Sequence, residues 1–138
     1  MSDVFSFTVF GRPEPQGSTR AFVIGGKART TSANPKLKPW RSELTRCALW
    51  EMADQGLEPY GKHVPVKLSV CFTFRRPPSI PKRRCECVVK PDADKLLRGV
   101  CDALTGAVWH DDAQVVEMTV RKVYGEVEGC VITVEGLG

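Results

Sequence analysis

A chain of 138 residues, 42% hydrophobic and 26% charged, is long enough to bury a core of its own as a single domain spanning 1–138. No apolar run approaches the roughly 20 residues needed to cross a bilayer, so a helical membrane anchor is excluded and no membrane partner is expected. The formal net charge of +4 is mild, but it is unevenly spread: Arg75, Arg76, Lys82, Arg83, Arg84 and Lys90 stand against Glu86 alone. Such a cluster either neutralises phosphates and releases their counterions or is a solvated basic loop.

The opening stretch MSDVFSFTVFGRPEP lacks a basic leader and carries an acid at position 3. It reads as a strand and not as a signal peptide. A cytoplasmic setting with reduced thiols is therefore expected for the six cysteines. Cys71, Cys101 and Cys130 lie among apolar neighbours. Cys85 and Cys87 form a CxC pair with no second pair to complete a zinc site.

From Val4 to Phe10 the residues alternate, with Phe5, Phe7 and Val9 on one face. A Pro- and Gly-rich loop follows over 11–20. Then comes a short hairpin, 21–24 and 27–30, turned by Gly25-Gly26. Pro39 suits the first turn of a helix, whose apolar positions Trp40, Leu44, Cys47, Ala48 and Met52 recur at helical spacing until Gly56 stops it. Val64 to Phe74 is the clearest strand. After it RRPPSIPKRR, over 75–84, breaks regular structure and predicts a mobile basic loop facing a ligand.

Pro91-Asp92-Ala93-Asp94 opens a second helix with the stripe Leu96, Leu97, Val100, Cys101 and Leu104, ended by Gly106. Two more strands are read at 114–124 and 130–135. The expected fold is one small α/β domain, a mixed sheet packed by two main helices.

The stretch KPDADKLLRGVCDALTGAVWHDDAQV carries the chemistry. The connection from Thr105 to Asp112 can reach roughly 26 Å when extended. That is enough to bring Asp111 and Asp112 back beside Asp92 and Asp94. Converging carboxylates repel, and a divalent cation relieves the repulsion; all-oxygen ligands favour Mg²⁺ or Mn²⁺. Such an ion can polarise a phosphoryl oxygen and acidify a water for phosphodiester hydrolysis. Arg98 lies four residues after Asp94 on the same helix face, and Lys95 lies one residue after it. Taken singly, each acid also has an ordinary structural reading: Asp92 as an N-cap, Asp94 as a first-turn acid, Asp111-Asp112 as a turn.

The same stretch resembles the signature of the RusA-type Holliday-junction resolvases, crossover-junction endodeoxyribonucleases of bacteria and their phages. Asp92 and Asp94 match the family's first two acids. Asp102-Ala103-Leu104 matches its D-A-L, and Asp111-Asp112-Ala113-Gln114-Val115 its last block. The resemblance implies metal-binding catalytic carboxylates at Asp92, Asp94 and Asp112, with Asp111 as a neighbour. It also implies Mg²⁺ or Mn²⁺ as cofactor, a homodimer, and paired cuts in four-way branched DNA. Two positions depart from the pattern. Arg98 stands where the family has a catalytic lysine, and Lys95 where it has asparagine. Arg98 keeps the charge but cannot lose a proton, which leaves Lys95 as the other candidate for that role.

Arg20 and Arg29 are further candidate phosphate contacts, as is the basic cluster from Arg75 to Lys90. His110 is placed to position a water or phosphate, and Trp109 either stacks on an unpaired base or packs beneath the loop. Two other functions fit the residues: a junction-binding protein whose cleavage is weakened through Arg98, and a nuclease for other branched DNA.

Overall fold

The computed structural model describes residues 3–17, 19–32 and 34–138. The alternation at the start becomes β1, Asp3–Phe10. A hairpin follows, β2 (Thr19–Ile24) and β3 (Lys27–Ser32), which forms its own two-stranded sheet. Helix α1 runs Leu37–Gln55, with Pro39 in its first turn as expected. It ends at Gly56, whose left-handed backbone (φ 67°) lets the N–H turn back to the Ala53 carbonyl.

The main sheet holds β1, β4 (Val66–Arg75), β5 (Val115–Gly125) and β6 (Gly129–Gly136) in the order β1-β6-β4-β5. β6 pairs antiparallel with both β1 and β4, while β5 pairs parallel with β4. The sheet is therefore mixed, with β5 at its edge. Gly129 is required where β6 meets β1, because a Cβ there would lie 2.5 Å from the Val9 carbonyl oxygen.

One face of the sheet is dry. Phe5, Phe7 and Val9 of β1 join Val66, Leu68, Val70, Phe72 and Phe74 of β4 and Cys130, Ile132 and Val134 of β6. Onto this face pack Trp40, Leu44, Ala48 and Met52 of α1. Leu96, Val100 and Leu104 join them from α2 (Ala93–Leu104). Each fully buried aliphatic side chain contributes roughly 1.5–3 kcal/mol. The opposite face is mixed, with a Ser6–Thr133 hydroxyl pair and a Lys67–Glu117 ion pair beside the exposed Val4 and Val131.

A parallel β4–β5 pair needs the chain to travel back between the two strands. Helix α2 makes that return, so it runs antiparallel to both. Its start lies where β4 ends and its close lies where β5 begins. This single topological fact positions every acid discussed below.

Candidate active site

At the start of α2, Asp92 is the N-cap residue, yet its side chain makes no capping hydrogen bond. Asp94 stands in the first turn, and both carboxylates are solvent-exposed. An ion pair here joins Lys95 Nζ to Asp92 Oδ2 at 3.8 Å, with both side chains about half exposed (47% and 50%). Such a pair adds little stability. The turn is fixed from the neighbouring strand instead, because Lys122 Nζ donates to the carbonyls of Val89 (2.6 Å) and Pro91 (2.7 Å).

A cleft of about 440 Å³ opens beside this turn, lined among others by Arg12, Gln16, Lys90, Asp92 and Lys95. Its floor is tied to the helix by a bond from the Gln16 N–H to the Lys95 carbonyl at 3.0 Å. A slightly larger cavity, about 490 Å³, lies elsewhere, lined by Val4, Phe5, Met52, Leu57 and Tyr60. That lining is mostly apolar with Glu58 as its one acid, whereas the charged cleft at the start of α2 reaches Asp92.

The far end of α2 is built differently. The Thr105 hydroxyl accepts from Trp109 Nε1 at 3.0 Å and shares its one hydrogen between the Cys101 carbonyl and the Asp112 carboxylate. Asp111 caps the short 3₁₀ turn Asp112–Gln114, accepting from the Ala113 N–H at 2.9 Å. Gln114 is buried beneath it. Its Oε1 accepts from the N–H groups of His110 and Asp111, and its Nε2 donates to the carbonyls of Gly61 and Val64. Burial, with Asp112 and Asp102 nearby, pushes the Cys101 thiol up to about 11.

Asp92 and Asp94 are two residues apart in the chain and Asp111 and Asp112 are adjacent, but the structure does not bring the two pairs together in one chain. Eleven helical residues from Asp94 to Thr105 rise roughly 16 Å. The extended connection that would have carried Asp111 and Asp112 back is not used. β5 begins at the close of α2, so the chain has no need to return before it. Among the described residues no three His, Cys, Asp or Glu side chains lie close enough to hold one ion.

Of the other candidates, Arg98 is exposed one turn beyond Asp94. Arg75, Lys82, Arg83, Arg84 and Lys90 are exposed on the segment that leads from β4 to α2, at the same end of the molecule as Asp92. Arg76 is half-buried over the Tyr124 ring and donates to the Arg84 carbonyl, so part of its hydrogen-bonding capacity is spent on the loop. That segment is more structured than a mobile loop. Ile80 and Arg84 close turns onto Pro77 and Pro81, and Ile80 packs on the core. Cys85 is exposed and Cys87 buried, on a stretch that pairs with β5. The side chains of Arg20 and Arg29 lie outside the described residues. Trp109 is fully buried, so it packs and does not stack on a base; His110 is exposed.

A family model for endodeoxyribonuclease RusA matches residues 11–135. The chain belongs to the RusA endodeoxyribonuclease family. It is also 30% identical over 129 residues, 90% of each chain, to a Bacillus subtilis (strain 168) protein described as uncharacterized protein YqaN. Membership in the RusA family supports a nuclease. No helix of the described residues is long and apolar enough to cross a membrane.

Three contributors escaped the sequence reading. Lys122 falls on the apolar side of a strand between Val120 and Tyr124, and a cation at such a position signals a buried polar task. Asp111-x-x-Gln114 is a capping-box spacing and could have been read as such. Thr105 gives no local signal, because its partners come from three separate turns.

Proposed function

We propose that this RusA-family nuclease is a divalent-metal-dependent endonuclease for branched DNA, four-way junctions above all. In this reading it cuts as a homodimer, with paired, symmetric nicks. The observation that carries it is the state of Asp92 and Asp94: two exposed carboxylates at a helix start that no cap consumes, beside a cleft and below a basic segment.

The donor set fits the ion. Mg²⁺ keeps most of its waters and takes one or two carboxylates plus substrate phosphate. Asp92 and Asp94 would hold it; Asp112, the third acid of the family pattern, stands at the far end of α2 in the same chain, on the Thr105 hydroxyl. When bound, the ion supplies charge to the scissile phosphate and makes a water acidic enough to attack it. The chain's own groups do the rest. Lys95, paired with Asp92, would meet a phosphate oxygen there, while Arg98 would offer a second cation one turn along. Lys82, Arg83, Arg84 and Lys90 would follow the DNA backbone. Arg20, Arg29, Arg75 and Arg76 complete the proposed DNA-binding set.

The test is cleavage of a fixed synthetic four-way junction with Mg²⁺, Mn²⁺ or EDTA. Symmetric paired nicks should appear with either ion and vanish in EDTA. Asp92→Asn should slow cleavage by about a hundred- to a thousandfold, the range seen when a charge-stabilising group is removed, while junction binding persists. Cleavage by this variant at the unsubstituted rate would remove the assignment. Uncut junction bound in a salt-sensitive way by the unsubstituted protein would mark a binding module instead.

A further inference from the structure

The stretch that leads into the acids at the start of α2 has little apolar burial to hold it. Val88 is 70% exposed and Val89 49%, and Lys90, Asp92, Asp94 and Lys95 all face solvent. An acid pair can hold an ion only if the chain that carries it keeps its course. Here the guide is β5. Tyr124 N–H donates to the Cys85 carbonyl (2.8 Å), Cys87 N–H donates to the Lys122 carbonyl (3.1 Å), and Glu86 bridges Val123 antiparallel. Beyond Cys87 this backbone ladder stops. Among the described residues, the hydrogen bonds that tie the next stretch to the sheet come from one side chain. Lys122 Nζ donates to the carbonyls of Val89 (2.6 Å) and Pro91 (2.7 Å).

We infer that Lys122 is a positioning residue of the nuclease site: it grips the chain on both sides of Lys90 and so presents Asp92 and Asp94 to the divalent ion, without touching ion or DNA itself. The role of the ion rests on the nuclease reading, whereas the grip on the chain is a matter of hydrogen bonds.

The strand places the amine for this task. Lys122 is paired with Phe72 of β4, which is buried on the face that the helices cover, and it alternates with Val120 and the buried Tyr124. A cation on such a face is costly unless its donors are satisfied. A lysine meets that demand by laying its stem along apolar surface and carrying the ammonium to polar partners. Two of the three donors meet carbonyls here.

The choice of partners is informative. Among the described residues no acid forms an ion pair with Lys122; the pair at this turn joins Asp92 to Lys95. The ammonium therefore orders the backbone and leaves the carboxylate oxygens of Asp92 and Asp94 for an ion. Pro91, held by Lys122, directly precedes Asp92. On the other side Leu96, fully buried, donates its N–H to the Asp92 carbonyl at 3.1 Å. The acid-bearing turn is thus fixed by the core at one end and by Lys122 at the other.

Two effects of the ammonium oppose each other. Its grip keeps the acids in place, so the ion need not order the chain as it binds. Its charge repels an incoming cation. Two carbonyl dipoles offset that charge, and solvent and salt screen it at this partly exposed turn. Groups that orient a metal's ligands are typically worth about ten- to a hundredfold in metal affinity, so the grip should win.

The experiment compares Lys122→Met and Lys122→Arg with the parent, each as the full chain and well below its melting transition. Methionine keeps an apolar stem and removes the donors, while arginine keeps the charge and can reach two carbonyls with its fork. Mn²⁺ affinity, read from the free-ion signal in electron paramagnetic resonance, should fall about ten- to a hundredfold in Lys122→Met and less in Lys122→Arg. Saturating Mn²⁺ should restore most of the junction cleavage by Lys122→Met. In EDTA both variants should bind the junction as the parent does, with the same salt dependence. A lysine that only held the fold would lower the melting temperature of the metal-free protein and leave the affinity of the folded protein for Mn²⁺ where it was; that result, or tighter binding, overturns the proposal. Weaker junction binding in EDTA with a salt slope smaller by about one also overturns it, by making Lys122 a phosphate contact. Cleavage that stays lost at saturating ion overturns it too, by putting the amine in the chemical step. Should Lys122→Met fail to fold, Lys122→Gln, neutral and too short to reach both carbonyls, must show the same loss of Mn²⁺ affinity. A parent that binds no Mn²⁺ and cuts nothing removes the nuclease reading and this role with it. A parent that binds and cuts beside a Lys122→Met protein of equal affinity removes this role alone.

Discussion

The two ends of α2 each present a pair of aspartates, and the fold treats the pairs differently. At the close of the helix the acids are employed. Asp111 caps a turn, Asp112 takes the Thr105 hydroxyl, and Gln114 ties the backbone of His110 and Asp111 to the carbonyls of Gly61 and Val64 through four hydrogen bonds. At the start the acids are only lightly used, Asp92 meeting Lys95 alone at 3.8 Å. Asp92 occupies an N-cap without capping, and Asp94 faces solvent. A carboxylate at a helix start usually caps its own helix, so two exposed ones that make no capping bond keep oxygens available for something else. The contrast predicts opposite responses to substitution. Changes at Gln114 and Asp111 should damage the fold, and changes at Asp92 and Asp94 should damage ion binding while leaving the fold alone.

The largest expected effect on stability is at Gln114. Alanine there strands two backbone N–H groups and two carbonyls that the side chain now serves, at a cost of roughly 2–4 kcal/mol after partial rescue by water. For a domain of this size that lowers the melting temperature by about 7–14 °C. Gln114→Glu keeps the acceptor and loses the donor, and should fall between. A Gln114→Ala protein that melts within about 1 °C of its parent would mean that the close of α2 is not held as described, and the comparison would collapse.

Much of this architecture was open to a reader of the sequence, for identifiable reasons. The strand of Val66 to Phe74 alternates strictly because one face is buried, and the stripe Leu96, Val100, Leu104 repeats because the helix lies on that face. Local periodicity carries both. The meeting of the two acid pairs was not open in the same way. It depends on whether the strand after α2 runs parallel or antiparallel to the one before, and no residue near Asp112 announces that choice. An antiparallel β5 would have forced the connection back along the helix. A parallel one begins where the helix ends, and so leaves the acids at opposite ends. The edge of β5 was hidden for a related reason: a strand's neighbours are set by topology, not by its own residues.

A smaller effect is expected at Asp111. Its carboxylate satisfies one N–H of the 3₁₀ turn, so Asp111→Ala should cost about 1 kcal/mol, and Asp111→Asn much less. Thermal melting of both variants measures this. Cleavage should survive in each, because a capping side chain is not free to serve an ion. Loss of cleavage in a folded Asp111→Asn protein would place this residue among the ligands and blur the distinction between the two ends.

The smallest effect on stability is predicted for Asp94→Asn, and its smallness is what carries the argument. Two contributions oppose each other there. An acid in the first turn interacts favourably with the helix dipole by about 0.3–1 kcal/mol. The same acid stands two residues from Asp92 and repels it, so removing one charge returns part of that amount. Without divalent ion the variant should therefore melt within about 0.5 kcal/mol of its parent. Adding Mg²⁺ to about ten times its dissociation constant should stabilise the parent by roughly 1.4 kcal/mol through binding to the folded state, and should leave Asp94→Asn unmoved. If instead Asp94→Asn loses more than about 1 kcal/mol with no ion present, the acid already serves its own helix, beyond what the dipole alone supplies. The start of α2 would then be no more idle than its close.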